Sequence, residues 1–334
     1  MMIPLKRALL HVCRAMGLFR LARRMTRDRL RILGYHGFAL ADEDRFRPGT
    51  FMRPAVFRRR LEYLARSRTP VLPLGQALEM LSRGTLPPCA TVITIDDGFA
   101  STYSQAAELL RSFCFPATVY VSSYYCRYPN PVFRLAVQYM FWKSPSSPLP
   151  LAGEGQDDAM WSIIRHGETA CDEAGRVQLA EELGRRLGVD YAEIRRSRIL
   201  SLMTPDEFRR LPGFGLDVQL HTHRHRFPEE PACAAQEIAD NRAFLQTVTD
   251  RPLVHFCYPS GEWSERSWRT LDEMGIESAV TCDRGLNDAT TPRFALRRFL
   301  DGQNVSQIEF EAEVSGFLDL ARRLLGRRRE APAA

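Results

Sequence analysis

Four short clusters in this sequence carry side chains able to do hydrolytic chemistry. Asp96-Asp97-Gly98 ends the β-branched run TVITI. Two adjacent carboxylates at a strand end, followed by glycine, can point one acid at a metal ion and the other at a water beside it. On their own they make an ordinary turn with capping aspartates equally well. His221-Thr222-His223-Arg224-His225 holds three of the chain's seven histidines. If the strand turns into a helix there, the i, i+4 spacing lets His221 and His225 meet one zinc ion. Thr222 can then hydrogen-bond behind them, while His223 falls on another face. A basic surface loop is the alternative. Phe256-Cys257-Tyr258-Pro259-Ser260-Gly261 is an apolar run entering a tight turn, whose backbone N–H groups can hold an oxyanion. Tyr35-His36-Gly37 places a lone histidine at a fourth such end, where it is structural unless the other clusters converge on it.

Each cluster follows an apolar run, so the elements that position them are strands, with the chemistry at their C-terminal ends. RILGYHGF (31–38), TVITIDDGF (91–99), PATVYVSS (116–123), DVQLHTHRH (217–225), VHFCYPSG (254–261), SAVTC (278–282) and FALRRFLD (294–301) read as strands; VLPL reads as a further strand edge. Helical periodicity appears between them, in FRRRLEYLARS (57–67), TYSQAAELLRSF (102–113) and AAQEIADNRAFLQTV (234–248). TPDEFRRL opens with Thr204 as N-cap and Glu207 three residues on. This alternation predicts an α/β fold with parallel strands, and seven or eight strands favour a barrel over an open sheet. From about 124 to 205 the rhythm changes to amphipathic helices interrupted by the linker SPSSPLPLAGEGQ, a helical insertion that can serve as a lid or platform.

Composition frames the rest. Of 334 residues, 45% are apolar and 26% charged, enough for a packed core, and the net charge of +6 is concentrated at the ends. Residues 1–30 read as a basic amphipathic N-terminal helix, 31–302 as the barrel, and 303–334 as a C-terminal helix and basic tail ending in Arg327-Arg328-Arg329. Such ends suit an anionic membrane or a phosphorylated carrier rather than nucleic acid, and solvated basic helices equally well. Leu5, Leu9, Val12, Met16, Phe19 and Leu21 fall near one helical face, which fits an interfacial helix or packing on the chain's own core. Arginines interrupt this stretch and no small-residue cleavage site follows, so a signal peptide is not expected. No run is long enough to span a membrane. Eight scattered cysteines without a C-x-x-C pair, several in apolar runs, point to reduced, buried thiols. The expectation is a cytoplasmic chain, able to sit peripherally at the inner membrane.

Taken together, in this order and spacing, the four clusters resemble those of the polysaccharide deacetylases, the NodB-homology group of carbohydrate esterases, over about residues 31–300. Thr94-Ile95-Asp96-Asp97-Gly98 is similar to the family's first motif and His221-Thr222-His223-Arg224-His225 to its second. The resemblance implies a distorted parallel (β/α) barrel of about seven strands that binds Zn2+ or another divalent metal such as Co2+. Asp97, His221 and His225 would be the ligands, Asp96 the general base, and the Ser260 N–H an oxyanion donor. Three protein ligands with one open position is the catalytic arrangement for zinc. Two departures stand out. Cys257 and Ser260 occupy the region of the third motif where an arginine usually orients the base, leaving Arg297 or Arg298 for that role. No histidine follows His255, so the late histidine acid is missing; His36 fits the branch of the family with an early Tyr-His. His255 is the second choice and reads better as structural. The implied activity is hydrolytic N-deacetylation of an N-acetylated amino sugar, in a surface polysaccharide or a lipid- or nucleotide-linked lipopolysaccharide precursor. The alternatives are a non-catalytic glycan-binding module on the same fold, and a metal amidohydrolase acting on a non-sugar amide.

Overall fold

Short runs of β-branched and aliphatic residues, buried on both faces, build the centre of the protein. The computed structural model describes residues 2–144 and 156–326. Most of the Pro/Gly/Ser linker and the Arg327–Arg329 tail lie outside the described residues. The strands are β1 (Arg31–Tyr35), β2 (Gly37–Phe38), β3 (Phe51–Met52), β4 (Thr91–Ile95), β5 (Ala117–Val121), β6 (Leu216–Leu220), β7 (His255–Cys257), β8 (Ser278–Val280) and β9 (Phe299–Leu300). Seven of them form one parallel sheet in the order β8-β7-β6-β5-β4-β1-β9, while β2 and β3 make a small separate pair. Every residue of β1, β4 and β5 is buried, as in a parallel sheet covered by helices.

The sheet curls towards closure through one segment. Ala279 N–H donates to Arg293 O and Thr281 N–H to Leu296 O, so residues 293–296 run beside β8. A few residues later the same segment becomes β9 and pairs with β1 through Phe299 and Leu300. It therefore bridges both edges, and the fold is a distorted (β/α) barrel. Of the strand expected over 294–301, only two residues qualify as a strand, because the segment changes neighbours midway. The strand expected over 31–38 divides at His36 into β1 and β2, and the VLPL edge is a single bridge between Val71 and Thr91.

Register sets the site. Tyr35 pairs with Ile95, which puts His36 beside Asp96. Leu220 pairs with Phe256, which brings His221 level with Cys257. Between β5 and β6 lie the helices Phe133–Lys143, Gln156–Ala170, Glu173–Leu187 and Tyr191–Ser197. The chain returning from them is fastened to the turn after β4: Ala100 N–H donates to Ser201 O and Met203 N–H to Gly98 O. This helical layer is thus tied directly to the Asp-Asp-Gly turn.

At the N-terminus two helices stand where one was expected, Met2–Ala15 and Leu18–Met25, parted at Gly17 with φ 80°. They pack on a matching pair near the other end, Gln307–Val314 and Phe317–Leu324, parted at Gly316 with φ 80°. A Cβ at Gly316 would lie 2.4 Å from Thr26 Oγ1, so a larger residue does not fit. Leu10 and Phe19 bury against Ile308 and Ala312. The guanidinium of Arg31, fully buried, donates to Val314 O, Thr26 O and Thr26 Oγ1 and locks both ends of the chain to the foot of β1.

Candidate active site

Asp96 is the first residue beyond β4, nearly inaccessible, and faces the guanidinium of Arg298. The pair is two-pronged, with Arg298 Nη1 2.8 Å from Oδ1 and Nη2 2.8 Å from Oδ2. Arg298 is itself held by Thr281 O at 2.9 Å and Thr94 Oγ1 at 3.0 Å. Burial would raise the Asp96 carboxyl, but the Arg298 charge and its hydrogen bonds overcome it and hold the group below the usual carboxylate range. Asp96 is therefore an ionised carboxylate whose orientation is fixed from one side.

Arg298 thus holds the position for which the sequence left Arg297 and Arg298 open. Side chains alternate along an extended segment, so Leu296 and Arg298 point inward while Arg297 is exposed. Nothing in the pattern of FALRRFLD itself separates the two arginines. Cys257 explains why the arginine can come from this strand: its small side chain leaves room, and its Sγ lies 3.3 Å from Arg298 Nη2.

Asp97 follows with φ 70° and Gly98 with φ 84°, a left-handed pair that turns the second carboxylate away from the first. A Cβ at Gly98 would come within 3.2 Å of Val121. His221, the first residue beyond β6, has its Nε2 3.3 Å from Asp97 Oδ1, and His225 Nε2 is also at 3.3 Å. The two imidazole rings are 4.9 Å apart and nearly perpendicular. No helix forms between them. Thr222 (φ 62°) and His225 (φ 53°) take left-handed conformations instead, and the Arg226 N–H donates to Thr222 Oγ1, closing a tight loop. This corrects the expected strand-to-helix transition; the loop delivers both imidazoles to one point by a different backbone path.

The support behind His221 is specific. Its Nδ1 lies 2.7 Å from the carbonyl oxygen of Cys257, which can only accept, so Nδ1 carries the proton and Nε2 presents a lone pair. Its backbone N–H donates to Asn241 Oδ1, and Asn241 Nδ2 donates to Val121 O and Ser123 Oγ. Nothing in the sequence singled out Asn241, which lies in mid-helix twenty residues downstream. His223 turns the other way, buried with Nδ1 2.9 Å from Ser123 Oγ, and burial lowers its pKa.

Asp97 Oδ1 is enclosed and accepts no hydrogen bond. A buried carboxylate oxygen without a donor is costly, and a cation is the natural partner. Ligand atoms of Asp97, His221 and His225 all lie within 4.8 Å of one another, the only such group among the described residues. Two neutral nitrogens and one carboxylate oxygen suit zinc or a similar divalent ion, so the residues present fit the implied metal.

His36 Nε2 stands 3.7 Å from Asp96 Oδ2, with the side chain about one-fifth exposed and Nδ1 buried without a partner. Ser260, at φ 57°, lines a cavity of about 310 Å³ together with His225, Phe227 and Pro259. His255 lies at the other end of β7, bonded through Nδ1 to Ser278 Oγ at 2.9 Å, with burial lowering its pKa. The structure therefore gathers Asp96, Asp97, His221, His225 and His36 at one end of the barrel, with Ser260 on the adjoining wall, and leaves His223 and His255 outside.

This architecture is that of the deacetylase barrels. Three solved structures share it: the Streptococcus pyogenes deacetylase PplD in complex with acetate (TM-score 0.57, 16% identity, 90% of this chain and 99% of that one); IcaB from Ammonifex degensii (0.56, 16%, 86% and 97%); and a de-N-acetylase from Aggregatibacter actinomycetemcomitans (0.55, 14%, 85% and 99%). In sequence, residues 159–279 match the family model described as Polysaccharide deacetylase, a span that includes the His221–His225 loop and the Phe256–Gly261 turn. No curated protein matches the chain. The family model thus covers the second and third clusters but not Asp96-Asp97 or His36, and the solved structures share the fold.

Proposed function

We propose that this chain is a metal-dependent hydrolase that removes the acetyl group from an N-acetylated amino sugar. The observation that carries the reading is the enclosed, unpartnered Asp97 Oδ1 between His221 and His225, beside a second carboxylate kept ionised by Arg298. A divalent ion held by Asp97, His221 and His225 would polarise the acetyl carbonyl and make water a better nucleophile at neutral pH. Asp96, with both oxygens oriented by Arg298, accepts a proton from the attacking water. The Ser260 N–H, in a left-handed turn, faces the oxyanion that develops on the carbonyl oxygen. His36, at the partly open edge of the site, gives a proton to the departing sugar amine. A purely glycan-binding module has no need for a buried base–arginine pair, which favours the enzyme over that alternative.

The substrate we favour is a lipid- or nucleotide-linked precursor of a surface polysaccharide or lipopolysaccharide, encountered in the cytoplasm. The first test is metal content. The wild-type protein is expected to hold about one zinc or similar ion per chain, and Asp97→Ala and His221→Ala to lose it. Acetate release from N-acetylated amino sugars, free and nucleotide-linked, then reads the activity. Wild-type protein that takes up no metal on reconstitution would remove the enzyme reading and leave the glycan-binding module.

A further inference from the structure

We infer that the N-terminal helix pair is a docking face for an anionic lipid bilayer. Helix Met2–Ala15 presents its inner side, through Leu10 and Cys13, to the Ile308–Ala312 segment. Its outer side carries Leu5, Leu9, Val12 and, just past its end, Met16, at spacings of four, three and four residues. At 100° per residue these fall within one narrow stripe. All four are open to solvent, at 73%, 61%, 54% and 70% exposure. Leu21 and Met25 repeat the pattern on the second helix, again exposed. Single exposed leucines need no explanation, but six large apolar side chains on the outer faces of two consecutive helices mark a contact surface.

Charge selects the occupant. Lys6, Arg7 and Arg14 border the first stripe and are anchored inward on Glu309 and Glu311, which leaves that rim with a single net positive charge. Arg20 and Arg24 border the second stripe, both exposed, and neither has a carboxylate partner among the described residues. Arg27, just beyond the helix, is likewise exposed and unpaired among them. An apolar stripe edged by free guanidinium groups, on helices too short and too interrupted to cross a membrane, is the arrangement of an interfacial helix on anionic lipid. A partner protein would be expected to bring acids to those arginines in fixed positions; a bilayer presents phosphates anywhere along the face. The second helix is joined through Leu30 to the foot of β1, so the face lies apart from the strand ends that carry His36 and Asp96. None of these residues touches the catalytic cluster, and the inference stands or falls independently of the deacetylase reading.

The test is co-sedimentation of the full chain with vesicles of phosphatidylcholine alone and of phosphatidylcholine with phosphatidylglycerol. The expected result is binding to the anionic vesicles, weakened by salt, and little binding to the neutral ones. Leu9→Glu with Val12→Glu is expected to raise the lipid needed for half-binding at least tenfold, and Arg20→Glu with Arg24→Glu by roughly fivefold or more per cation. Because these side chains are exposed, both variants should keep the wild-type unfolding temperature, which separates lost binding from lost structure. No binding to anionic vesicles, or binding unchanged in both variants, would overturn the inference. So would a wild-type dimer that Leu9→Glu dissociates, since the face would then be an interface between two copies.

Discussion

Replacing Arg298 by methionine is the sharpest probe of this site, because it separates a positioned base from a merely buried acid. Asp96 is almost inaccessible, and Arg298 is its one cationic hydrogen-bond partner. Removing one partner of a buried ion pair typically costs about 3–5 kcal/mol, while removing both costs far less. Arg298→Met should therefore lose about 3–5 kcal/mol of stability, and Asp96→Asn/Arg298→Met should recover most of it. The coupling from the double-mutant cycle should exceed about 2 kcal/mol. The pH dependence has a definite sign. In the wild type the Asp96 carboxyl is lowered on folding, so its contribution is complete above the ordinary carboxylate range and is lost as pH falls through the folded value. Without Arg298 burial is opposed only by the weaker influence of His36 and His221, the shift reverses, and the variant's deficit should be largest near neutral pH and shrink towards about pH 4. Urea unfolding of the four proteins in chelator, at about pH 7.5 and about pH 4.5, reads all of this. Turnover of Arg298→Met should fall by about 10²–10⁴, the usual share of a general base. A deficit below about 1 kcal/mol, or one that grows as pH falls, would refute the claim that Arg298 keeps Asp96 ionised.

Further outcomes follow from the same structure. His36→Gln should lower turnover by about 10²–10⁴ while leaving metal content unchanged, which distinguishes a proton donor from a ligand; metal loss would reassign it. Asp301, buried against Arg60, is pushed by burial to about 6 although Arg60 opposes this. Its folded value lies above its unfolded one, so the folded state binds an extra proton and stability falls as pH rises through about 4 to 6. Asp301→Asn should remove that slope, and its cost relative to wild type should be greatest at acid pH; an unchanged slope in unfolding experiments would contradict this. Gly261→Ala should destabilise the turn that carries Ser260, since φ is 71° and the new Cβ would come within 2.6 Å of the Cys282 side chain. The thermal unfolding temperature should drop by several degrees.

The geometry also accounts for the cysteine in the third cluster, where the resemblance leads to the expectation of an arginine. Position 257 does two jobs: its backbone carbonyl, which any residue would offer, fixes the His221 tautomer, and the short cysteine side chain admits Arg298 from across the barrel. Asp96 is thus oriented from the segment that closes the barrel, through a two-pronged contact.

Much of this was written in the chain. Apolar runs ending in Asp96-Asp97-Gly98, His221–His225 and Phe256–Gly261 identify strand ends, because period and turn residues are local properties that each segment carries alone. Their residue types restrict the chemistry, since carboxylates and imidazoles in this pattern suit a divalent metal. The alternation of strands and helices similarly predicts parallel strands, and a helical layer does lie between β5 and β6. Other features depended on distant partners. Arg297 and Arg298 are equivalent by composition, and only the way the segment passes from β8 to β1 turns one inward. Asn241 looks like any polar helix residue until the helix sets its amide against His221. The N-terminal stripe was equally compatible with a lipid face and with the chain's own core. What decided which residues stay exposed was the inner face formed by Leu10, Phe19 and Ile308, because burial is a property of the surface a helix meets and not of its own periodicity.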